Sequence, residues 1–212
     1  MIKIKTFVFN PFQENTYLLY DETGEAVIID PGCYTKDEEE SLFSFIKNNN
    51  IGLKHLLNTH SHIDHILGNQ FISEQFKLSV ESHKADEFLI KNAKQQGIVF
   101  GIQIDEPPLP GNYLEEGMKI QFGNSVLDIV HAPGHSPGSL VYYNKKERFM
   151  IVGDVLFNQS IGRTDLPGGS YDVLVDSITN KLFPLGDNMN VYSGHGSPTT
   201  IGQERISNPF LS

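Results

Sequence analysis

The sequence predicts an α/β fold made of two β-sheets packed face to face, with helices covering both outer faces. Three observations predict it. Strand-like alternating segments fall into two groups, and each group is followed by apolar residues at helical spacing. The order of these segments suits an αβ/βα sandwich, because a sheet with two apolar faces must bury both. The 212 residues suit a single domain spanning 1–212, with no internal repeat or low-complexity tract.

The elements follow in order. Alternating residues at 3–5, 15–20 and 26–29 read as a β-meander, with Asp21-Glu22-Thr23-Gly24 as a turn. Residues 37–48 place Leu42, Phe43, Phe45 and Ile46 at helical spacing. Acidic residues open this segment and Lys47 closes it, as a helix dipole favours. A short strand at 55–57 runs into a polar segment at Asn58. Ile63, Ile66, Leu67 and Phe71 then mark one face of a second helix. A strand near 78–80 and a helix over 83–96 come next. Three prolines and a glycine make 105–112 a loop. Strands are expected at 125–130, 140–143 and 149–152, a Gly/Pro-rich loop at 162–169, a helix at 171–183, a strand at 190–192 and a short helix around Ile201. Tyr142 and Tyr143 read as alternating strand residues.

Composition narrows the classes. Hydrophobic residues make up 39% and charged residues 20%, enough to build a core without disulfide staples. The single cysteine, Cys33, beside Gly32, reads as a buried small residue rather than a reactive thiol. No segment reads as a signal peptide or a membrane span, so the expected location is the cytoplasm, with no membrane partner. The formal net charge of −10 argues against nucleic acid as a partner, because it repels phosphate backbones. A small anionic substrate stays compatible, since local basic groups outweigh a screened distant field.

The chemistry concentrates in His60-Ser61-His62-Ile63-Asp64-His65, where four potential metal ligands follow a strand. His60 and His62 are two residues apart, so extended backbone points both to one side, and Asp64 and His65 open a helix. Three further candidates follow strands in glycine-rich settings: His135 in Pro133-Gly134-His135-Ser136-Pro137-Gly138, Asp154 after Gly153, and His195 between Gly194 and Gly196. Five histidines and two aspartates exceed a closed four-ligand structural site and include no thiolate. They suit two divalent metals with open positions, a kind of pair usually held about 3.5–4 Å apart. Asp154, with two oxygens and no close sequence partner, is the natural bridge. His55, His83 and His131 share no ligand cluster and read as ordinary histidines.

At these residues the sequence resembles the metallo-β-lactamase superfamily. Asp30-Pro31-Gly32, the H-x-H-x-D-H motif at 60–65, Gly134-His135, Gly153-Asp154 and Gly194-His195-Gly196 occur in that family's order over essentially the whole chain. The resemblance implies that His60, His62 and His135 hold one metal, Asp64, His65 and His195 the second, with Asp154 bridging and Asp30 bracing the metal loop. Within the superfamily, 133–139 and Gly162-Arg163-Thr164-Asp165-Leu166-Pro167-Gly168-Gly169 are similar to the glyoxalase II group, the hydroxyacylglutathione hydrolases, in its short single-domain form. Only 17 residues follow His195 in a chain ending at 212, so the C-terminal helical domain that binds glutathione in typical members is not expected here.

The resemblance implies hydrolysis of a small-molecule thioester by a metal-bridging hydroxide, with Asp64 orienting it. Metal binding brings water's pKa from 15.7 to about 7, and a thiol with a pKa near 8.5 leaves without a strong general acid. Zinc is the first expectation for the metals, and histidine and carboxylate ligands also accept iron or manganese. Arg163 is the candidate substrate anchor, because a guanidinium pairs bidentately with a carboxylate; the alternative is a structural pair with Asp165. A second reading is a persulfide dioxygenase with one iron at His60, His135 and Asp154, a two-histidine, one-carboxylate triad. A non-enzymatic metal-binding module is the third.

Overall fold

The structure, a computed structural model, describes residues 1–211. The first half comprises β1 (Lys3–Phe9), β2 (Glu14–Tyr20), β3 (Glu25–Ile29), α1 (Lys36–Asn48), β4 (Gly52–Leu57), α2 (Ile63–Ile66), α3 (Asn69–Phe76), β5 (Val80–Ser82), α4 (Glu87–Lys91), α5 (Ala93–Phe100) and β6 (Asn112–Tyr113). The second comprises β7 (Lys119–Phe122), β8 (Ser125–His131), β9 (Leu140–Asn144), β10 (Phe149–Gly153), β11 (Leu156–Phe157), β12 (Ser160–Ile161), α6 (Tyr171–Asp176), β13 (Asn190–Ser193), β14 (Thr199–Thr200) and α7 (Ile201–Ser207). One sheet runs β1-β2-β3-β4-β5-β6, antiparallel through β3 and parallel from there; the other runs β14-β13-β10-β9-β8-β7.

The strand period of two explains the layers. Tyr17, Leu19, Val27, Ile29 and Leu57 point inward from the first sheet and meet Leu127, Ile129, Leu140, Tyr142, Phe149 and Ile151 of the second. Their neighbours Leu18, Ala26, Ile28 and Leu56 point outward under α1 and α3, and Val130, Val141, Met150 and Val152 point outward under α6 and α7. Each fully buried Leu, Ile or Phe contributes about 1.5–3 kcal/mol, so these three apolar layers, rather than any single polar contact, hold the sandwich together. Tyr142 is in the inter-sheet core and Tyr143 on the opposite face, as alternation requires.

Several elements differ from the sequence-based expectation. The second helix is broken at Leu67-Gly68, because Gly68 lies against Cys33 and the Pro31 carbonyl; a Cβ there would meet Cys33 Sγ at 2.4 Å. The expected helix at 83–96 is a 3-10 turn at Lys84–Asp86 followed by α4 and α5, which part at Asn92 and reach Phe100. The helix from Tyr171 widens into a π turn over Ser177–Leu182. Strands β7, β11, β12 and β14 pass without a sequence signal, being four residues or fewer and paired by distant partners. Cys33 is buried, and burial raises its thiol far above the ordinary value. Among the described residues, no helix is long and apolar enough to cross a membrane.

β8, β10 and β13 run in one direction, so their C-terminal ends share an edge of the sandwich. β4 delivers its own C-terminal end to the same edge: Leu140 N donates to the Thr59 carbonyl at 2.7 Å, and Tyr142 Oη to the Asn58 carbonyl at 2.8 Å. On the other flank, β2 is tied to the end of β13 through Asn15 N to the Gly194 carbonyl at 2.7 Å and Tyr17 Oη to the Ser193 carbonyl at 2.6 Å.

Candidate metal centre

All seven residues singled out above converge on this edge. His62 Nδ1 lies 2.8 Å from His135 Nε2, which lies 3.2 Å from His60 Nε2. A second group meets beside it: His195 Nε2 is 3.1 Å and His65 Nε2 3.6 Å from Asp64 Oδ2. Asp154 lies between the groups, with Oδ1 3.4 Å from His65 Nε2 and Oδ2 3.6 Å from both His135 Nε2 and His195 Nε2. Two sets of side chains capable of holding an ion are thus adjacent, His60–His62–His135 and Asp64–His65–His195; Asp30 forms a third such set with His60 and His65.

Local chain geometry aims these atoms. The chain leaves β4 through a bend at Thr59 and is extended at His62, which brings His60 and His62 to one ligand group, and α2 starts at Ile63 with Asp64 and His65 in its first turn. Gly153, with φ +52°, turns the chain sharply after β10, and a Cβ there would meet Thr59 Oγ1 at 2.2 Å. Gly194 is equally confined: its Cβ would meet Asp154 Oδ1 at 2.2 Å.

Outer partners decide which nitrogen of each ring faces the centre. The Thr59 hydroxyl donates to Asp30 Oδ2 at 2.5 Å, so its lone pair receives His60 Nδ1–H at 3.1 Å and leaves His60 Nε2 bare. His135 Nδ1 donates to the Arg163 carbonyl at 2.8 Å, and His195 Nδ1 to the Phe12 carbonyl at 3.1 Å. Carbonyls accept only, so in the neutral rings both Nε2 atoms present lone pairs. His65 Nδ1 donates to Asp30 Oδ2 at 3.1 Å, and this is how Asp30 braces the loop, together with its bond from Thr59 N at 2.6 Å. Bare lone pairs 3.2 Å apart repel unless a cation lies among them. His65 Nε2 and Asp154 Oδ1 are likewise buried without a hydrogen-bond partner. This donor set fits two divalent cations.

The electrostatics divide the imidazoles into two kinds, one held neutral and one held protonated by the carboxylates beside it. Burial, with the neighbouring imidazoles, holds His60 well below the ordinary imidazole range and His62 down to about 3. For His65, burial pulls the same way but is overcome by Asp64 and Asp154, which hold it well above. Against their own burial, Asp64 and Asp154 are held low by the charge of His65; burial lowers His195 too, but its hydrogen bond to Asp64 and the charge of Asp154 raise it overall.

The centre floors an open cavity of about 560 Å3 with apolar walls, among them Phe12, Phe100, Phe157 and Leu166. The Phe12 and Phe100 rings meet edge-on at 5.8 Å. Arg163 lines the same cavity, but its guanidinium forms a two-point pair with Asp165, both bonds 2.7 Å, while its carbonyl holds His135. The side chains of that pair are 55% and 67% exposed, so solvent screens it and it holds only weakly. The three other histidines lie apart. His55 pairs with Glu81 at 2.6 Å, and His83 stacks on His131 with ring centroids 4.2 Å apart.

Two carboxylates escaped the sequence reading. Asp86, fully buried, accepts from Ser61 N at 3.1 Å, Ser136 Oγ at 2.7 Å and Gly138 N at 2.6 Å, joining the 60–65 and 133–138 loops. Burial raises its carboxyl above the ordinary range. Glu14, also fully buried, lies 3.9 Å from His65 Nδ1 and takes the Thr16 hydroxyl at 2.9 Å. A carboxylate in an otherwise buried strand was the available signal for Glu14. Asp86 carried none, since its donors lie 25 to 52 residues away.

Comparison with known proteins places this architecture. The sequence profile of the metallo-beta-lactamase superfamily matches residues 9–195. Hydroxyacylglutathione hydrolase GloC of Haemophilus influenzae is 38% identical over 213 residues, covering 100% of this chain and 99% of that protein. The crystal structure of BLEG-1 B3 metallo-beta-lactamase superposes with TM-score 0.91 at 38% identity, covering 99% of this chain and 100% of the other. TTHA1623 in a di-iron-bound form superposes with TM-score 0.88 at 37% identity, covering 98% and 100%.

Proposed function

This chain belongs to the metallo-β-lactamase superfamily, and we propose that within it the protein hydrolyses small-molecule thioesters, the class to which hydroxyacylglutathiones belong. In this reading His60, His62 and His135 hold one divalent cation, Asp64, His65 and His195 hold another, and Asp154 serves both. Zinc, iron and manganese all suit such ligands. Residues 1–212 act as one catalytic domain.

One observation carries the reading. Among the described residues lining the cleft, every ionisable side chain except Arg163 belongs to the seven-residue cluster. No separate general acid stands ready for a leaving group. A thiolate leaves unaided, because its parent thiol has a pKa of about 8.5, whereas an amide nitrogen must be protonated. Bound cations would supply a water acidified to near neutrality and a polarised carbonyl. The chain's own part is positional. Asp64 lines the cavity with Oδ2 beside His195 Nε2, and its second oxygen is left to orient the attacking water by accepting its hydrogen. Asp30, Thr59 and the Phe12 and Arg163 carbonyls keep the imidazoles in one tautomer. The apolar walls exclude bulk water around the carbonyl. The C–S bond breaks as C–O forms, yielding a carboxylate and a thiolate; of the water's two protons one returns to the thiolate and one passes to solvent. Arg163 exchanges Asp165 for a carboxylate on the substrate, which a weak exposed pair permits.

The similarity to a hydroxyacylglutathione hydrolase supports the thioester, and the equal identity to a B3 metallo-beta-lactamase makes a β-lactam the second reading. The test assays zinc-, iron- and manganese-loaded protein, with metal content measured on the same samples, against S-lactoylglutathione, simple thioesters, a chromogenic β-lactam and glutathione persulfide. Thioester cleavage with release of free thiol is expected. Turnover of the lactam alone, oxygen consumption with persulfide alone, or bound metal with no turnover of any substrate overturns the reading.

A further inference from the structure

We propose that the substrate carries an uncharged apolar arm, seated in a groove that leads from the metal cleft along α4 and α5. The inference rests on the hydrolase reading for the bond that is cut, while the groove stands on its own geometry. A second cavity of about 330 Å3 adjoins the cleft, and the two share His62, Gln96, Phe100 and Leu166. The ring of one candidate metal ligand therefore lies at the mouth of the groove. Beyond it the walls are Phe88, Leu89, Val99, Phe100, Leu166 and Pro167. The remaining described lining is the neutral amides Asn92, Gln95 and Gln96, with no carboxylate, ammonium or guanidinium.

Val99 is 71% exposed, Phe100 40% and Phe88 37%, a run of large apolar groups that a soluble surface does not keep without a use. Continuity with the metal cleft makes the use a substrate group: a ligand bound at the cations has this groove as its apolar exit. A charged arm finds less. Glutathione carries two carboxylates and an ammonium, and the described cleft offers one cationic side chain other than its histidines, Arg163, enough for a single carboxylate. Burying a methylene is worth about fourfold in affinity, so a chain of several methylenes lying in the groove outcompetes a short acyl group by tenfold or more.

The experiment compares kcat/KM of the metal-loaded protein on S-acetyl- and S-octanoyl-N-acetylcysteamine, which lengthens the acyl side, and on S-hexyl thioacetate, which lengthens the thiol side. Val99→Asp and Phe88→Ser, both at exposed positions, are tested beside the unaltered chain. In parallel, calorimetry measures binding of the octanoyl and acetyl amides, which are not cleaved. The expected result is at least a tenfold advantage for one long arm, reduced to less than threefold in both variants with the melting temperature retained. The side that shows the advantage identifies which half of the substrate fills the groove. Cleavage of all thioesters at rates indifferent to both arms, with equal binding of the two amides, overturns the groove and leaves hydrolysis standing. Absence of thioester cleavage overturns hydrolysis instead; the groove then holds if the octanamide binds at least tenfold more tightly than the acetamide and Val99→Asp abolishes that difference. If Val99→Asp turns a dimer into a monomer without altering the chain-length ratio, the patch is a contact between copies and the inference falls.

Discussion

Replacing Asp86 by Asn should cost one of the two candidate metal positions while sparing most of the fold. Asp86 Oδ2 receives Ser61 N and Ser136 Oγ, and Oδ1 receives Gly138 N. An amide keeps one acceptor oxygen, so either Gly138 N or Ser61 N is left facing an NH2 group in a dry interior. A hydrogen bond to a charged acceptor is worth about 1.5–3 kcal/mol. Part of that loss is offset because burial disfavours the carboxylate charge, as its raised pKa shows. A net destabilisation of about 2 kcal/mol remains, or about 4–8 °C in melting temperature for a chain of this size. The damage is asymmetric. Ser61 separates His60 from His62 and Ser136 follows His135, so the loosened loops carry the His60–His62–His135 group, while Asp64, His65 and His195 keep their own supports. Metal content should fall from two ions towards one per chain, with the weakened position losing about 10–100-fold in affinity. Thermal unfolding and titration against a chromogenic chelator read both quantities. Two ions bound at unaltered affinity alongside the expected drop in melting temperature would refute the argument that Asp86 sets ligand geometry. Equal loss at both positions would mean that the fold, not the loop, had failed.

Further outcomes follow from the same structure. Asp154→Asn should lower the affinity for both ions together, because Oδ2 lies beside His135 of one set and His195 of the other while Oδ1 faces His65; loss of a single ion, seen by metal analysis, would contradict its place between them. Arg163→Ala should raise KM for carboxylate-bearing thioesters several-fold and leave stability within about 0.5 kcal/mol; an unchanged KM with a fallen melting temperature would return Arg163 to a structural pair with Asp165. Gly68→Ala should destabilise, since its Cβ would overlap Cys33 Sγ and the Pro31 carbonyl, and urea unfolding measures it; an unshifted midpoint would show that α2 and α3 can move apart. The hydrogen bond from His55 to Glu81 raises the imidazole above its ordinary pKa of about 6.5. A raised folded-state value adds stability that is complete below about pH 6.5 and drains as pH climbs through the raised value. His55→Gln should therefore lose more stability at pH 5.5 than at pH 9, and parallel losses at the two values would disprove the linkage.

Short-range chemistry made much of this legible from sequence alone. The continuous apolar runs at 26–29 and 149–152 specified strands buried on both faces, because successive side chains of a strand point to opposite sides and both sides here are apolar. The H-x-H-x-D-H run and the glycines before Asp154 and His195 marked ligand-bearing turns, because those backbone turns are decided within a few residues. Three-dimensional packing decided the rest. Which nitrogen of His60, His135 and His195 faces the centre depends on Thr59, the Arg163 carbonyl and the Phe12 carbonyl. Two of those partners lie 28 and 183 residues away in the chain. Asp86 gains its role only when β5 carries it between two loops. Residue type and near neighbours settle which side chains can bind metal and where the chain turns, since both are local properties. Tertiary structure alone decided which lone pairs meet, which charges are buried and where an apolar groove opens, since each requires atoms from distant segments at contact distance.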